Sequence, residues 1–392
     1  MTRTNPQMRR LHRGFAVPAT VLACLVAAAL AAASAPAKPD SSTGSQAAGL
    51  QKDLDALVAA GAPGAILLTR NGAHTRVITA GLADVPHQRP MRPGDHFKVA
   101  SVTKSYTASV VLQLVAQGKL GLGDSVERRL PGLVPNGGKI TIRQLLNHTS
   151  GLFDFELDRQ LLKPYYAGEL DHYWSMRQLL KRAVTHKPLF APGARHSYSN
   201  TNYVVAGLIV EAVTGRSIGA ELRSRIFRPL HLGLTTYPTS SLGAGGTRMP
   251  TPYAHGYTVF GEAGFDITGI SPSLFPASGG IISTVGDVAD FYRALLGGRL
   301  LQPNLLDAMK TMVPARDAGA NGYGLGLMRW PTACGPGWGH DGGLPGYWVR
   351  SFSTENGRRQ AVLMINHDPE TLDIPARALF QRLIARAYCE GV

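Results

Sequence analysis

Residues 101–118 read SVTKSYTASVVLQLVAQG. Val102, Val110, Val111, Leu112, Leu114 and Val115 cover most sides of a helix over 101–117, and Gly118 ends it. A helix that is apolar all round belongs in a core rather than on a surface. Ser101 opens this helix, and Lys104 sits one turn later on the same face. The free N–H groups and dipole at a helix start stabilise an alkoxide or oxyanion. The same positive end, together with burial, disfavours an ammonium, so Lys104 is expected to be partly neutral and able to accept the serine proton. Ser-x-x-Lys alone is a weak signal, and the plainer reading is an N-cap serine. The surrounding chain has to decide.

Upstream, Leu50, Leu54, Leu57 and Val58 recur at helical spacing and Gly61 stops that helix. Ala65 to Thr69 reads as a strand, Asn71-Gly72 as a hairpin turn and Thr75 to Thr79 as the partner strand. Downstream, 120–235 is mostly helical between Pro/Gly turns, most clearly over Asn202 to Val213, which Gly215 ends. Residues 250–275 read as irregular. Thr284 caps a helix from Val285 to Leu296, strand-like runs follow at 323–329, 347–353 and 360–366, and a last helix spans Pro375 to Tyr388. This order predicts an α/β (α+β sandwich) chain: an antiparallel sheet flanked by helices, with a mostly helical lobe inserted between its strands. We expect the sheet lobe over 49–100 and 276–392, and the helical lobe over 101–275.

The termini and composition bound the rest. Hydrophobic residues are 44% and charged residues 17%, enough apolar content for a large core and too little charge for a disordered chain. Arg3, Arg9, Arg10 and Arg13 precede an apolar stretch from Phe15 to Ala33, and Ala35-Pro36-Ala37 follows. That pattern predicts a signal peptide over 1–37 and hence a secreted or cell-envelope protein; a retained anchor is the alternative, and Cys24 only loosely fits a lipoprotein site. Residues 38–48 read as a flexible polar linker. Removing 1–37 takes four arginines and no acids, leaving 36 basic against 26 acidic residues, or +10 instead of +14. No Lys/Arg block marks a nucleic-acid surface. Cys334 and Cys389 remain after cleavage, and an oxidising compartment makes a disulfide between them the default over two free thiols.

Two further segments carry side chains suited to chemistry. Tyr198-Ser199-Asn200 follows Pro192-Gly193 just before a helix. A phenol near a lysine is expected to have a lowered pKa and to shuttle protons, and the Asn200 amide can bind a carbonyl. Trp338-Gly339-His340-Asp341-Gly342-Gly343 precedes a strand-like run. Its paired glycines let a substrate backbone lie against a strand edge, and His340 adds a titratable donor. Gly215-Arg216-Ser217-Ile218-Gly219 matches a nucleophile elbow in letters only: it lies between two helices, where an elbow needs a strand before it.

With these three segments in this order, the sequence resembles the serine penicillin-recognising enzymes: D-alanyl-D-alanine carboxypeptidases, class C β-lactamases and related esterases. Ser101/Lys104, Tyr198/Asn200 and His340/Gly342 match their Ser-x-x-Lys, Tyr-x-Asn and Lys/His-x-Gly motifs. Gly61-Ala-Pro-Gly64, Leu145-Leu-Asn-His-Thr-Ser-Gly-Leu152 and Tyr323-Gly-Leu-Gly-Leu327 extend the likeness over nearly all of 47–390. It looks closest to the secreted carboxypeptidases, which also carry the histidine and a similarly placed cysteine pair. The resemblance implies a β-lactamase/transpeptidase-like fold and an acyl-enzyme on Ser101. Lys104 and Tyr198 would move its proton, with Asn200 and His340 positioning substrate. The N–H groups of Ser101 and Gly343 would form the oxyanion hole. It implies no metal or other cofactor. Partners would be a small peptide, ester or β-lactam, including cell-wall peptidoglycan peptides, acted on by a monomer.

Two departures concern the substrate. The carboxypeptidases bind the terminal carboxylate with an arginine at the position of Met328; here Arg329 is one step on, and a one-residue step on a strand points to the opposite face. Asp341 and Gly343 stand where those enzymes have threonines, and an aspartate there would repel a carboxylate. A D-Ala-D-Ala carboxypeptidase is the leading expectation. An esterase or amidase, a class C-type β-lactamase and a non-turnover peptide- or penicillin-binding protein are the alternatives.

Overall fold

The computed structural model describes residues 41–238, 249–260 and 263–391. The expected signal peptide lies outside them. The first helix, Ser41–Ala59, begins inside the stretch read as a linker. Gln46, Ala47 and Ala48 are strong helix formers, so the helical run of Leu50, Leu54 and Leu57 extends backwards without a break.

Nine strands of the described chain form one antiparallel sheet. Its order is Arg89–Pro90, His74–Asp84, Gly64–Asn71, Arg359–Ile365, Tyr347–Ser353, Gly337–Gly339, Met328–Trp330 and Gly322–Tyr323, with Asp341–Leu344 also pairing with Tyr347–Ser353. The first strand therefore lies beside the last, with Ala65 opposite Ile365 and Leu68 opposite Val362. Alternation sorts their side chains between two cores. Ile66, Leu68, Val362 and Met364 join the core shared with the inserted helices. Ala65, Leu67, Leu363 and Ile365 face the opposite way, onto Leu54, Leu57, Phe380 and Ile384 of the terminal helices Ser41–Ala59 and Ile374–Glu390.

The expected buried helix runs Thr103–Ala116 with 3₁₀ turn Ala100–Val102 before it, and most of its side chains are buried on every side. Asn200–Thr214 packs against it and ends at Gly215, whose φ of +67° is the left-handed cap that glycine permits. Ser217 caps the next helix, Ile218–Leu222, so the elbow-like letters are a helix junction. Thr284 caps Val285–Leu296 by accepting from the Asp287 N–H. A hairpin, Tyr257–Phe260 with Ala263–Asp266, lies in the stretch read as irregular. The glycine-rich segment after Pro336 forms two short strands, and Tyr347–Ser353 supplies the paired edge on which Asp341 to Leu344 zip. Cys334 and Cys389 face each other with their sulfurs 2.10 Å apart.

Candidate active site

The three sequence segments meet where the start of the buried helix reaches the sheet. Ser101 lies in the 3₁₀ turn, just after Ala100, which holds φ at +48°. A side chain in that left-handed region costs about 1–3 kcal/mol, strain of the kind stored around functional groups. Glycine at 342 is what lets the third segment come close: a Cβ there would stand 2.5 Å from the Val99 carbonyl oxygen and 3.2 Å from the Ser101 nitrogen.

Lys104 is completely buried. Its Nζ lies 2.8 Å from Ser101 Oγ, 2.7 Å from Asn200 Oδ1 and 3.0 Å from the Ser278 carbonyl. Burial pulls its pKa down to about 7, against the opposing pull of the Asp154 and Glu156 charges. As a neutral amine it keeps two N–H groups, enough for Asn200 and Ser278, and turns its lone pair to the Ser101 hydroxyl. The expectation of a partly neutral lysine holds.

Tyr198 departs from expectation. Its phenol is hydrogen-bonded to Ser101, with Lys104 Nζ 4.7 Å from the ring centre. Yet its pKa is pushed well above the ordinary phenol range, first by burial and then by the nearby Asp154 and Glu156. Tyr198 is thus a neutral proton donor, and Lys104 is the group that can accept.

His340 is buried with both ring nitrogens occupied: Nε2 faces the Tyr323 hydroxyl at 2.8 Å, and Nδ1 donates to the Asp341 carbonyl. Burial, aided by the Lys104 charge, lowers its pKa to about 3, so the ring is neutral. It lines the cleft as a held wall, not as a free titrating donor.

The sequence reading missed Asp154 and Glu156. They flank buried Phe155 in a 3₁₀ turn whose start Asp154 caps. Asn200 Nδ2 donates to Asp154 Oδ2 at 3.2 Å and to Glu156 Oε2 at 2.7 Å, so one amide joins the lysine to two carboxylates. Burial raises Asp154, and Glu156, an exposed residue whose carboxylate is drawn onto Asn200, is raised to about 7 by loss of water there and by the Asp154 charge. Two acids spaced i, i+2 just after His-Thr-Ser-Gly-Leu-Phe were the available signal.

These groups open into a cleft of about 790 Å³ that Ser101, Tyr198, Asn200, His340 and Gly343 all line. Its apolar wall includes Leu157, Tyr165, Tyr166, Ile270 and Phe275. Among the described residues, every formally charged group lining it is a carboxylate: Glu156, Asp317, Asp341, Asp368 and Glu370. Met328 lines it too, whereas Arg329 points to the other face, with its guanidinium 5.8 Å from the Trp338 ring centre and bonded to Asn321. Strand alternation is unbroken there, so the carboxypeptidase arginine has no replacement at Arg329. Asp341 is already neutralised, accepting from Arg350 Nε at 2.7 Å and from the Trp348 indole N–H.

An antiparallel sheet wrapped around an inserted helical lobe, with Ser101 and Lys104 at the junction, defines a β-lactamase/transpeptidase-fold protein. The family model for beta-lactamase matches residues 50–386, and the chain belongs to that family of hydrolases. It is 26% identical over 330 residues to penicillin-binding protein 4* of Bacillus subtilis, covering 79% of this chain and 69% of that one. It is 28% identical over 336 residues to a D-aminopeptidase of Cereibacter sphaeroides, covering 81% of this chain but only 60% of the relative's length. The structure of a D-stereospecific amidohydrolase from Streptomyces superposes with a TM-score of 0.79 at 37% identity, covering 88% of this chain and 99% of that one.

Proposed function

We propose that this protein is an exported D-stereospecific serine hydrolase that cleaves amide bonds following an apolar D-amino acid with a free α-ammonium. One observation carries the reading: the cleft beside Ser101 presents carboxylates and an apolar wall, and Met328 where a carboxylate-binding arginine would be needed. Glu156, held by Asn200, suits an ammonium next to the scissile carbonyl. The D-aminopeptidase and D-stereospecific amidohydrolase relatives favour the same substrate class over a D-Ala-D-Ala carboxypeptidase.

In this mechanism Lys104 takes the Ser101 proton as Oγ bonds to the substrate carbonyl carbon. The N–H groups of Ser101 and Gly343 hold the oxyanion, a contribution often worth about 3 kcal/mol. Tyr198 passes a proton to the departing nitrogen as the C–N bond breaks and recovers one from Lys104. Water then releases the D-amino acid by the reverse proton path. Asn200 and His340 position these groups. Residues 1–37 direct export, and Cys334 and Cys389 form a disulfide in the oxidising compartment.

The test is a panel of D-phenylalanine amide, its L enantiomer, its N-acetyl derivative and an N-acylated D-alanyl-D-alanine peptide. Preference for the first supports the reading; faster cleavage of the last overturns it. On the free amide, kcat/KM should climb as pH rises through about 7, because Lys104 must be neutral and Glu156 ionised. It should fall again near pH ~8 as the substrate's own ammonium deprotonates. The N-acetyl derivative should keep the rise and lose the fall.

Gly342→Ala should cut kcat/KM about tenfold, since its Cβ forces the strand off the Val99 carbonyl and misplaces Gly343 relative to Ser101. A thermal scan run alongside separates this from unfolding.

A further inference from the structure

A second cavity, of about 940 Å³, adjoins the cleft; Tyr198 and Asp317 line both. Arg195 and Arg316 flank it, and both side chains are exposed to it. Arg195 is steadied by its guanidinium stacking 4.3 Å over the Phe190 ring. Deeper in stands His196, whose Nε2 lies 3.4 Å from Asp317 Oδ2. Among the described residues, neither of those two buried atoms makes a hydrogen bond. Asp317 is the single carboxylate lining this cavity, set against two guanidiniums. The two arginines therefore set the sign of this chamber, opposite to that of the cleft.

Position gives the chamber its place in the reaction. Tyr198 is hydrogen-bonded to Ser101 and is the phenol that would protonate the departing nitrogen, so whatever follows that nitrogen extends past Tyr198. We propose that the chamber binds the terminal carboxylate of the leaving group through Arg195 and Arg316, making a short free peptide, not a simple amide, the preferred substrate. Guanidinium forks suit a carboxylate. The cleft and chamber together match a zwitterion, with ammonium at one end and carboxylate at the other. This rests on the D-aminoacyl hydrolase reading above.

The experiment compares D-phenylalanyl-glycine and D-phenylalanyl-glycyl-glycine with their C-terminal amides, using the full chain. At least one free acid should be cleaved with a kcat/KM about tenfold above that of its amide, the scale of a charge-assisted hydrogen bond. In the Arg195→Gln/Arg316→Gln variant that ratio should fall toward one, and in the double lysine variant it should be partly retained. Equal rates on acid and amide in the wild type overturn the proposal, as does an undiminished ratio in the glutamine variant. Cleavage of D-phenylalanine amide but of neither peptide also overturns it. If neither D-phenylalanine amide nor either peptide is cleaved, the D-aminoacyl hydrolase reading fails and the chamber's role falls with it.

Discussion

Ser101→Ala is expected to abolish covalent labelling by a fluorophosphonate or penicillin and to lower kcat/KM on D-phenylalanine amide about 10⁴- to 10⁶-fold, the scale of losing a nucleophile whose partners act as a unit. The fold should survive. Ser101 Oγ bonds only to Lys104 and Tyr198 in the set described above, and without it Lys104 still donates to Asn200 and Ser278. Intact-mass spectrometry after brief exposure to the label reads the adduct directly, and peptide mapping places it. Label retained by the alanine variant would remove Ser101 as the acylated residue. Unlabelled wild-type protein would do the same.

Glu156→Gln is expected to separate substrates by charge. The carboxylate would pair with the α-ammonium, and hydrogen bonds to charged groups contribute about 1.5–3 kcal/mol. Losing one should lower kcat/KM on D-phenylalanine amide about 10- to 150-fold, mostly through KM. Glutamine keeps an oxygen to accept from Asn200 Nδ2, so the amide that also holds Lys104 stays in place. The N-acetyl derivative should lose little. The gap between variant and wild type should also narrow above pH ~8, where the substrate amine is neutral. An equal loss on the acetylated substrate would mean that Glu156 works through Asn200 and Lys104 instead.

What the sequence disclosed follows from how local each feature is. Ser101 and Lys104 stand one helical turn apart, so helix periodicity alone put them together. Tyr198, Asn200 and His340 come from 97 to 239 residues further on, and only the family resemblance joined them to Ser101; sheet register and helix packing bring them there. Asp154 and Glu156 escaped notice because an acid in a short turn reads as solvated. The burial of Asp154 is a tertiary fact, created by Asn200–Thr214 closing over the 3₁₀ turn, and so is the turning of the otherwise exposed Glu156 onto Asn200. Burial of the phenol reverses the direction at Tyr198, and the two unseen carboxylates add to it. Strand Asp341–Leu344 was obscured by its glycines, which carry no strand propensity and pair because an edge is waiting. Met328 and Arg329, by contrast, obeyed strand alternation as read.

The pairing of Ala65 with Ile365 has a consequence for the order of folding. A ribosome adding about 5–20 residues per second needs roughly 15–60 s to travel between them. Throughout that interval Gly64–Asn71 has its hairpin partner on one edge and an open row of backbone donors and acceptors on the other. The inserted helices can collapse meanwhile, but the central sheet cannot close until nearly all of the chain exists. A nascent chain in this condition is vulnerable to edge-to-edge association, so it depends on being held apart from its copies. For the same reason it stays unlocked until the last strand arrives and seals it.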